Sequence, residues 1–346
     1  MTIIPISLLA LGSIWLVETD KGQQRPILDH IGYAWNTQQL DRLMDFLETN
    51  VQPEVSSSSL PVAGICPHDD HLFAADISYK ILSRIKAKEI IIFGVTHRTA
   101  RVFLDQPRNK IILETHDTWT GPTGPIAVSE LREEVHEKLN PEDIIVSDKA
   151  HQMEHSIEAM LPLLQTLLPG VKITPLMITE MEPKPMQALG AQLGAIIFDY
   201  MNERNLVPGR DVFFLFSCDA NHYGEDFKNT HYGSGSEGHS QAVNADRALL
   251  DETLNGTLEI ERILSFLNDP RQTHAIWCGR FSVSFGLMTT LNVLTAFEME
   301  PIKGHILEYS DSYTHGVLPL QGDGFGITAP FSLQHWVGHP AVLFQP

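Results

Sequence analysis

Short, nearly continuous apolar runs alternate along this chain with longer segments in which apolar positions recur every three or four residues. The runs are LPVAGIC (60–66), EIIIFGVT (89–96), NKIILE (109–114), VKITPLMI (171–178), DVFFLFSC (211–218) and HILEYSDSY (305–313). Runs without polar alternation predict strands buried on both faces, as in a sheet covered by helices. The intervening pattern predicts helices over 37–49, 72–86, 128–139, 155–167, 184–204, 241–254, 258–267 and 283–296. Asn36 is placed to cap the first, and Pro141 follows the third. Alternation of this kind predicts an α/β fold with a mixed, mostly parallel central sheet flanked by helices. The Gly/Ser-rich HYGSGSEGHS (231–240) predicts a flexible loop. No linker divides the chain, so residues 27–346 are expected to form one domain. Within residues 1–26, the run IIPISLLALGSIWLV (3–17) is short for a membrane span and lacks a basic leader. It is expected to be a docking strand, with a membrane anchor as the alternative.

A net charge of −19 argues against nucleic acid or an anionic membrane as the main partner and leaves a small-molecule or peptide ligand. Three cysteines are too few and odd in number for a secreted disulfide framework, so a reducing, cytoplasmic setting is expected. The 16 histidines point toward metal or proton chemistry.

Ligands of open α/β sheets bind beyond the carboxyl ends of the strands, and three runs here end in residues capable of chemistry. VAGICPH ends at His68, IIIFGVTH at His97, and FFLFSCDANH carries Asp219 and His222. Cys278, in IWCGRF, stands just before a helix expected near Ser282, where the dipole favours a thiolate. A separate segment, HQMEHSIEAMLPLL (151–164), places His151, Glu154, His155 and Glu158 on one face of a helix if that helix starts early enough. HQMEH also fits a zinc-peptidase pattern, H-x-x-E-H, with the glutamate as general base.

The order of these segments resembles the Memo family, also called protein B of the AmmeMemoRadiSam system. PHDDH (67–71) stands for the family's PHAGY, GVTHR (94–98) for GPSHH, and EHSIE (154–158) is intact. SCDANHYG (217–224) stands for SSDFCHWG, CGRFSV (278–283) for CGRxPI, and DHIGYAW (29–35) for SHAGSWY. The resemblance runs from about residue 27 to about 330. It implies the fold of class III extradiol ring-cleaving dioxygenases, and a metal held by His68, His97 and Cys278. It also implies Asp219 and His222 in the same pocket, His222 being the acid/base. Glu154 and His155 belong to a family motif beside it. Family members have been linked to redox-active metal, to phosphotyrosine peptides and, by gene neighbourhood, to a radical-SAM protein.

Two imidazoles and one anionic ligand suit a non-haem oxygenase, so one divalent metal is expected, with Fe(II) favoured. The thiolate leaves Cu and Zn open, and it also favours the alternative of a regulatory protein that binds metal or ligand without turnover. A zinc hydrolase built on HQMEH is the third alternative. Asp69, Asp70 and His71 replace the family's AGY, and Arg98 replaces its second histidine. These departures are expected to alter the pocket's charge and shape; Asp69, Asp70 and His71 would set pocket charge or ligand preference, or simply cap the helix before Leu72.

Overall fold

The computed structural model describes residues 23–51, 59–274 and 277–346; the apolar run 3–17 lies outside them. Four strands are mutually parallel: β1 (Ala63–Cys66), β2 (Glu89–Val95), β3 (Lys172–Ile178) and β4 (Val212–Ser217). Their order is β3–β2–β4–β1. Beyond β1 the sheet continues antiparallel through β6 (Trp336–Gln345) and then β5 (Lys303–Asp311). On the other side Gly124–Val128 pairs parallel with β3, followed by Thr118–Gly121 and the short Gln24–Arg25. The mixed, mostly parallel α/β architecture expected from the sequence is present, and the described residues begin a few positions before residue 27.

Unbroken apolar strands follow from helices on both faces. Ile91, Phe93, Phe214 and Phe216 pack on one face with α4 (Pro183–Glu203) and α5 (Arg280–Ala296). Their neighbours Ile90, Ile92, Phe213 and Leu215 pack on the other with α1 (Thr37–Asn50), α2 (His71–Leu82) and α3 (Leu161–Leu167). Side chains of successive strand residues point to opposite faces, so both sets are removed from water. Asn36 caps α1 as expected, its side chain accepting from the Gln39 amide at 3.0 Å.

Two expectations are corrected and one strand is added. The predicted 155–167 helix is a 3₁₀ turn at Glu158–Met160 followed by α3, because Pro162 fits the first turn of a helix and not its interior. The 231–240 loop ends at Ser234, where the helix Gly235–Thr253 begins; Ser234 and Glu237 have the spacing of a helix start. Strand β6 was not predicted, because Gly338 and Pro340 interrupt it. Pro340 is accommodated where β6 pairs with β5 and has not yet reached its pairing with β1, which starts at Val342.

Candidate metal centre

The parallel strands share one carboxyl edge, and the residues that leave it converge. Pro67 and His68 follow β1, Thr96 and His97 follow β2, and Cys218 and Asp219 follow β4. Cys278 arrives from across the sheet, two residues before α5. Gly279 permits that approach: a Cβ there would lie 2.4 Å from the Cys218 Cβ. Gly94 does the same for the EHSIE segment, since its Cβ would meet the Ile157 side chain at 2.6 Å.

His68 Nε2, His97 and Cys278 bring their ligand atoms within 4.8 Å of one another, with His68 Nε2 and Cys278 Sγ 3.4 Å apart. Metal–imidazole bonds of about 2.0 Å and metal–thiolate bonds of about 2.3 Å place tetrahedral ligands about 3.5 Å apart, so this spacing fits a shared ion. Hydrogen bonds fix the tautomers. The Ser217 hydroxyl donates to the Ser156 carbonyl at 2.5 Å and therefore accepts from His68 Nδ1 at 2.7 Å. His97 donates from Nδ1 to Glu154 Oε2 at 2.8 Å, and its backbone N–H donates to the other oxygen at 2.5 Å. Both rings thus carry their proton on the outer nitrogen and turn Nε2 toward the thiol, as metal-ligating histidines do.

The electrostatics differ from one of these groups to the next. Burial pushes the Cys278 thiol well above its ordinary value, with the neighbouring Cys218 adding to the rise. Burial and the surrounding imidazoles push His68 well below its own. At His97 burial opposes protonation, but Cys278 and Glu154 outweigh it and carry the group up to about 10. Burial, then the charge of Asp69, lifts Asp219 to about 7. Its Oδ1 accepts the His68 amide at 2.9 Å, and it caps no helix. His222 donates from Nδ1 to the Ala220 carbonyl at 3.0 Å, and its ring groups with Asp219 and Cys278. A cavity of about 700 Å³ opens from this cluster, with His97, His222 and Cys278 on its wall.

A Memo-like protein family model matches residues 30–318. The chain belongs to the Memo family. A "MEMO1 family protein" of Nitrosopumilus maritimus is 24% identical over 285 residues, covering 81% of this chain and 83% of that protein. One from Pyrococcus horikoshii is 26% identical over 261 residues, 72% of this chain and 80% of the other. One from Aquifex aeolicus is 26% identical over 196 residues, 55% of this chain, and the match spans just under two thirds of that relative, 64%.

Within this Memo chain the remaining predicted residues separate into two groups. Glu154 orients His97, and His155 stacks on the His97 ring at a centroid distance of 4.7 Å while staying exposed. Asp69 points to the same region but bonds His339 Nε2 at 2.9 Å; burial opposes its ionisation, and His339 more than offsets that.

Asp70 and His71 do not join the cluster. Asp70 stands at the N-cap position of α2 without capping it, and its carboxylate instead accepts the Thr328 amide at 2.5 Å. His71 accepts the Ala34 amide on Nδ1 at 3.1 Å and donates from Nε2 to the Ala159 carbonyl at 2.8 Å, spanning two loops. Burial holds it neutral, down to about 4. HQMEH does not assemble as one site: Glu154 and His155 group with His97, and His151 does not. His151 sits at the end of the helix Asp148–Gln152, fully buried, with Nε2 on the Ile112 carbonyl at 3.0 Å, and the chain leaves the helix before Glu154. Glu158 is ion-paired with Arg25. Cys66 is buried and pushed up to about 12 by that burial, and all three cysteines are free thiols.

Burial and then the Asp69 charge raise Asp70 to about 7. A raised carboxyl keeps its proton in the folded state at pH values where the unfolded chain has lost it. Its effect is therefore to lower stability as pH rises from about 4 to about 7. Asp70→Asn is expected to flatten that part of the melting-temperature profile, between about pH 4 and 7; an unchanged slope contradicts the assignment.

Three supporting residues escaped the sequence. Ser217 and Asp246 looked like ordinary strand and helix residues, and His339 lies on the unpredicted β6, outside the segment matched by the family model. Asp246 carries no motif. Its only sequence signal is a carboxylate on the apolar side of a helix.

Proposed function

We propose that this Memo family protein binds one divalent metal through His68, His97 and Cys278 and is a non-haem oxidoreductase of extradiol dioxygenase type. The observation that supports it best is the convergence of two imidazoles, tautomerically fixed by Ser217 and Glu154, on one buried thiol. Bound there, Fe(II), favoured over Cu and Zn by the dioxygenase kinship, would supply Lewis acidity and electrons for oxygen chemistry. The chain supplies the rest. A buried thiol with a strongly raised pKa is anionic only beside a cation, so metal binding and Cys278 deprotonation are coupled. His222, anchored through Nδ1, is placed to take a substrate hydroxyl proton on Nε2. Asp219, raised to about 7, is an acid or an anion near neutral pH and orients His68 through its backbone. The cavity admits a small aromatic substrate and walls it with Phe227 and Phe281.

A second reading, a metal- or ligand-binding regulatory protein without turnover, is favoured by the thiolate standing where oxygenases of this type carry a carboxylate. Its link would be to a small-molecule or peptide ligand, or to a radical-SAM protein. Three free thiols suit a reducing, cytoplasmic compartment. No helix among the described residues is long and apolar enough to cross a membrane.

Oxygen uptake by the anaerobically Fe(II)-loaded protein on a panel of catechols separates the two. The dioxygenase proposal expects uptake with a ring-cleaved product, reduced roughly 10²–10⁴-fold in His222→Ala. Full metal occupancy with no uptake on any catechol overturns it in favour of the regulatory reading.

A further inference from the structure

The cavity beside the centre carries an unusual charge for a chain of net charge −19. Arg98, Arg101 and Arg280 all line it. Several other arginines of the described residues are held by carboxylates, as Arg108 is by Glu180 at 3.0 Å and Arg271 by Asp269 at 2.8 Å. None of the three has such an ion pair among the described residues, and the buried Arg101 Nε has no hydrogen-bond partner there. Arg280 donates to the Gln272 carbonyl at 3.2 Å, which fixes its stem, and lies over the Phe281 ring at 4.5 Å. Of the two carboxylates on the same wall, Glu180 pairs with Arg108 while its charge also reaches Arg280 without an ion-pair contact, and Asp226 holds the His335 ring at 3.4 Å.

Gln272 adds an independent observation. Its side chain lines the cavity and is only 3% exposed, yet both Oε1 and Nε2 lack a partner among the described residues. A buried amide unsatisfied at both ends is costly unless something else satisfies it.

We propose that Arg280, Arg101 and Gln272, with Arg98 at the mouth, form a recognition site for a small aromatic oxyanion, a carboxylate or phosphate, whose ring extends toward His97 and Cys278. Guanidinium groups bind planar oxyanions through paired charge-assisted hydrogen bonds, and the Gln272 amide offers a donor beside them. Phe227 and Phe281 flank the space for the ring. The site deepens the metal-centre proposal, resting on it only for the direction in which the ring points.

Calorimetric titration of the full chain, as purified and after metal removal, tests this with benzoate, phenyl phosphate and benzyl alcohol. One or both anions are expected to bind at least about tenfold more tightly than the neutral alcohol, and to weaken as salt is raised. Tighter benzoate assigns a carboxylate, and tighter phenyl phosphate a phosphate. Gln272→Leu and Arg280→Gln are each expected to weaken the anion about tenfold. Gln272→Leu should leave the melting temperature unchanged or higher, because it removes an unpaired buried amide. Should Arg280→Gln fail to fold, the exposed Arg98→Gln replaces it, with a smaller loss expected. Equal affinity for anions and alcohol, or anion binding indifferent to these substitutions, overturns the proposal. Anion selectivity in a chain that binds no metal would uphold this site and sink the metal centre; a metal-loaded chain without selectivity would do the reverse.

Discussion

Asp246→Ala is expected to destabilise the protein by about 3–5 kcal/mol and to weaken metal binding as well. Asp246 is 1% exposed on the helix Gly235–Thr253 and satisfies three buried donors. Oδ1 accepts from Trp277 Nε1 at 2.9 Å, while Oδ2 accepts from the Tyr309 hydroxyl at 2.5 Å and the Asn221 amide at 3.3 Å. Each donor stranded in the core costs about 1–3 kcal/mol, the long Asn221 contact least. Trp277 precedes Cys278 and Asn221 precedes His222, so the same carboxylate fixes two segments that enter the site. Burial raises it to about 7, so it bonds as an acid or an anion near neutrality. Denaturant unfolding and metal titration of the variant check this together. A loss below about 1 kcal/mol with unchanged metal affinity contradicts the clamp.

His68→Ala and His97→Ala are expected to lose tight metal binding. Glu154→Gln should weaken it by about 10–100-fold, the usual effect of disturbing a residue that orients a ligating histidine. Cys278→Ser should fall between, because a serine hydroxyl keeps its proton where a thiol beside a cation gives it up. Competition titration against a chromophoric chelator orders the four variants. Retention of tight binding in His68→Ala, His97→Ala and Cys278→Ser, or its loss in His151→Ala alone, would refute the assignment.

The sequence carried the sheet and its functional edge because both depend on local signals. Apolar runs buried on two faces have no alternation to confuse, and a histidine just past such a run lands on the common edge whatever the loop does. What it did not carry depends on non-local packing. β6 is interrupted by Gly338 and Pro340, and only its pairing with β1 and β5 makes it a strand, so His339 beneath Asp69 was invisible. PHDDH sets four ligand-capable side chains next to one another in the chain. The first turn of α2 sends Asp70 to Thr328 and His71 to two backbone groups, leaving His68 at the centre with Asp69 at its edge. HQMEH shows the converse failure. Its helical spacing is correct for five residues, but the helix stops at Gln152, and His151 and His155 part company.

Metal analysis of protein purified without oxygen tests the centre most directly, run side by side on the wild type and Cys278→Ser. The expected result is a stoichiometric divalent ion in the wild type and a clear deficit in Cys278→Ser. A wild type that holds no metal even after anaerobic reconstitution, or a variant that holds as much, would contradict a centre built from His68, His97 and Cys278.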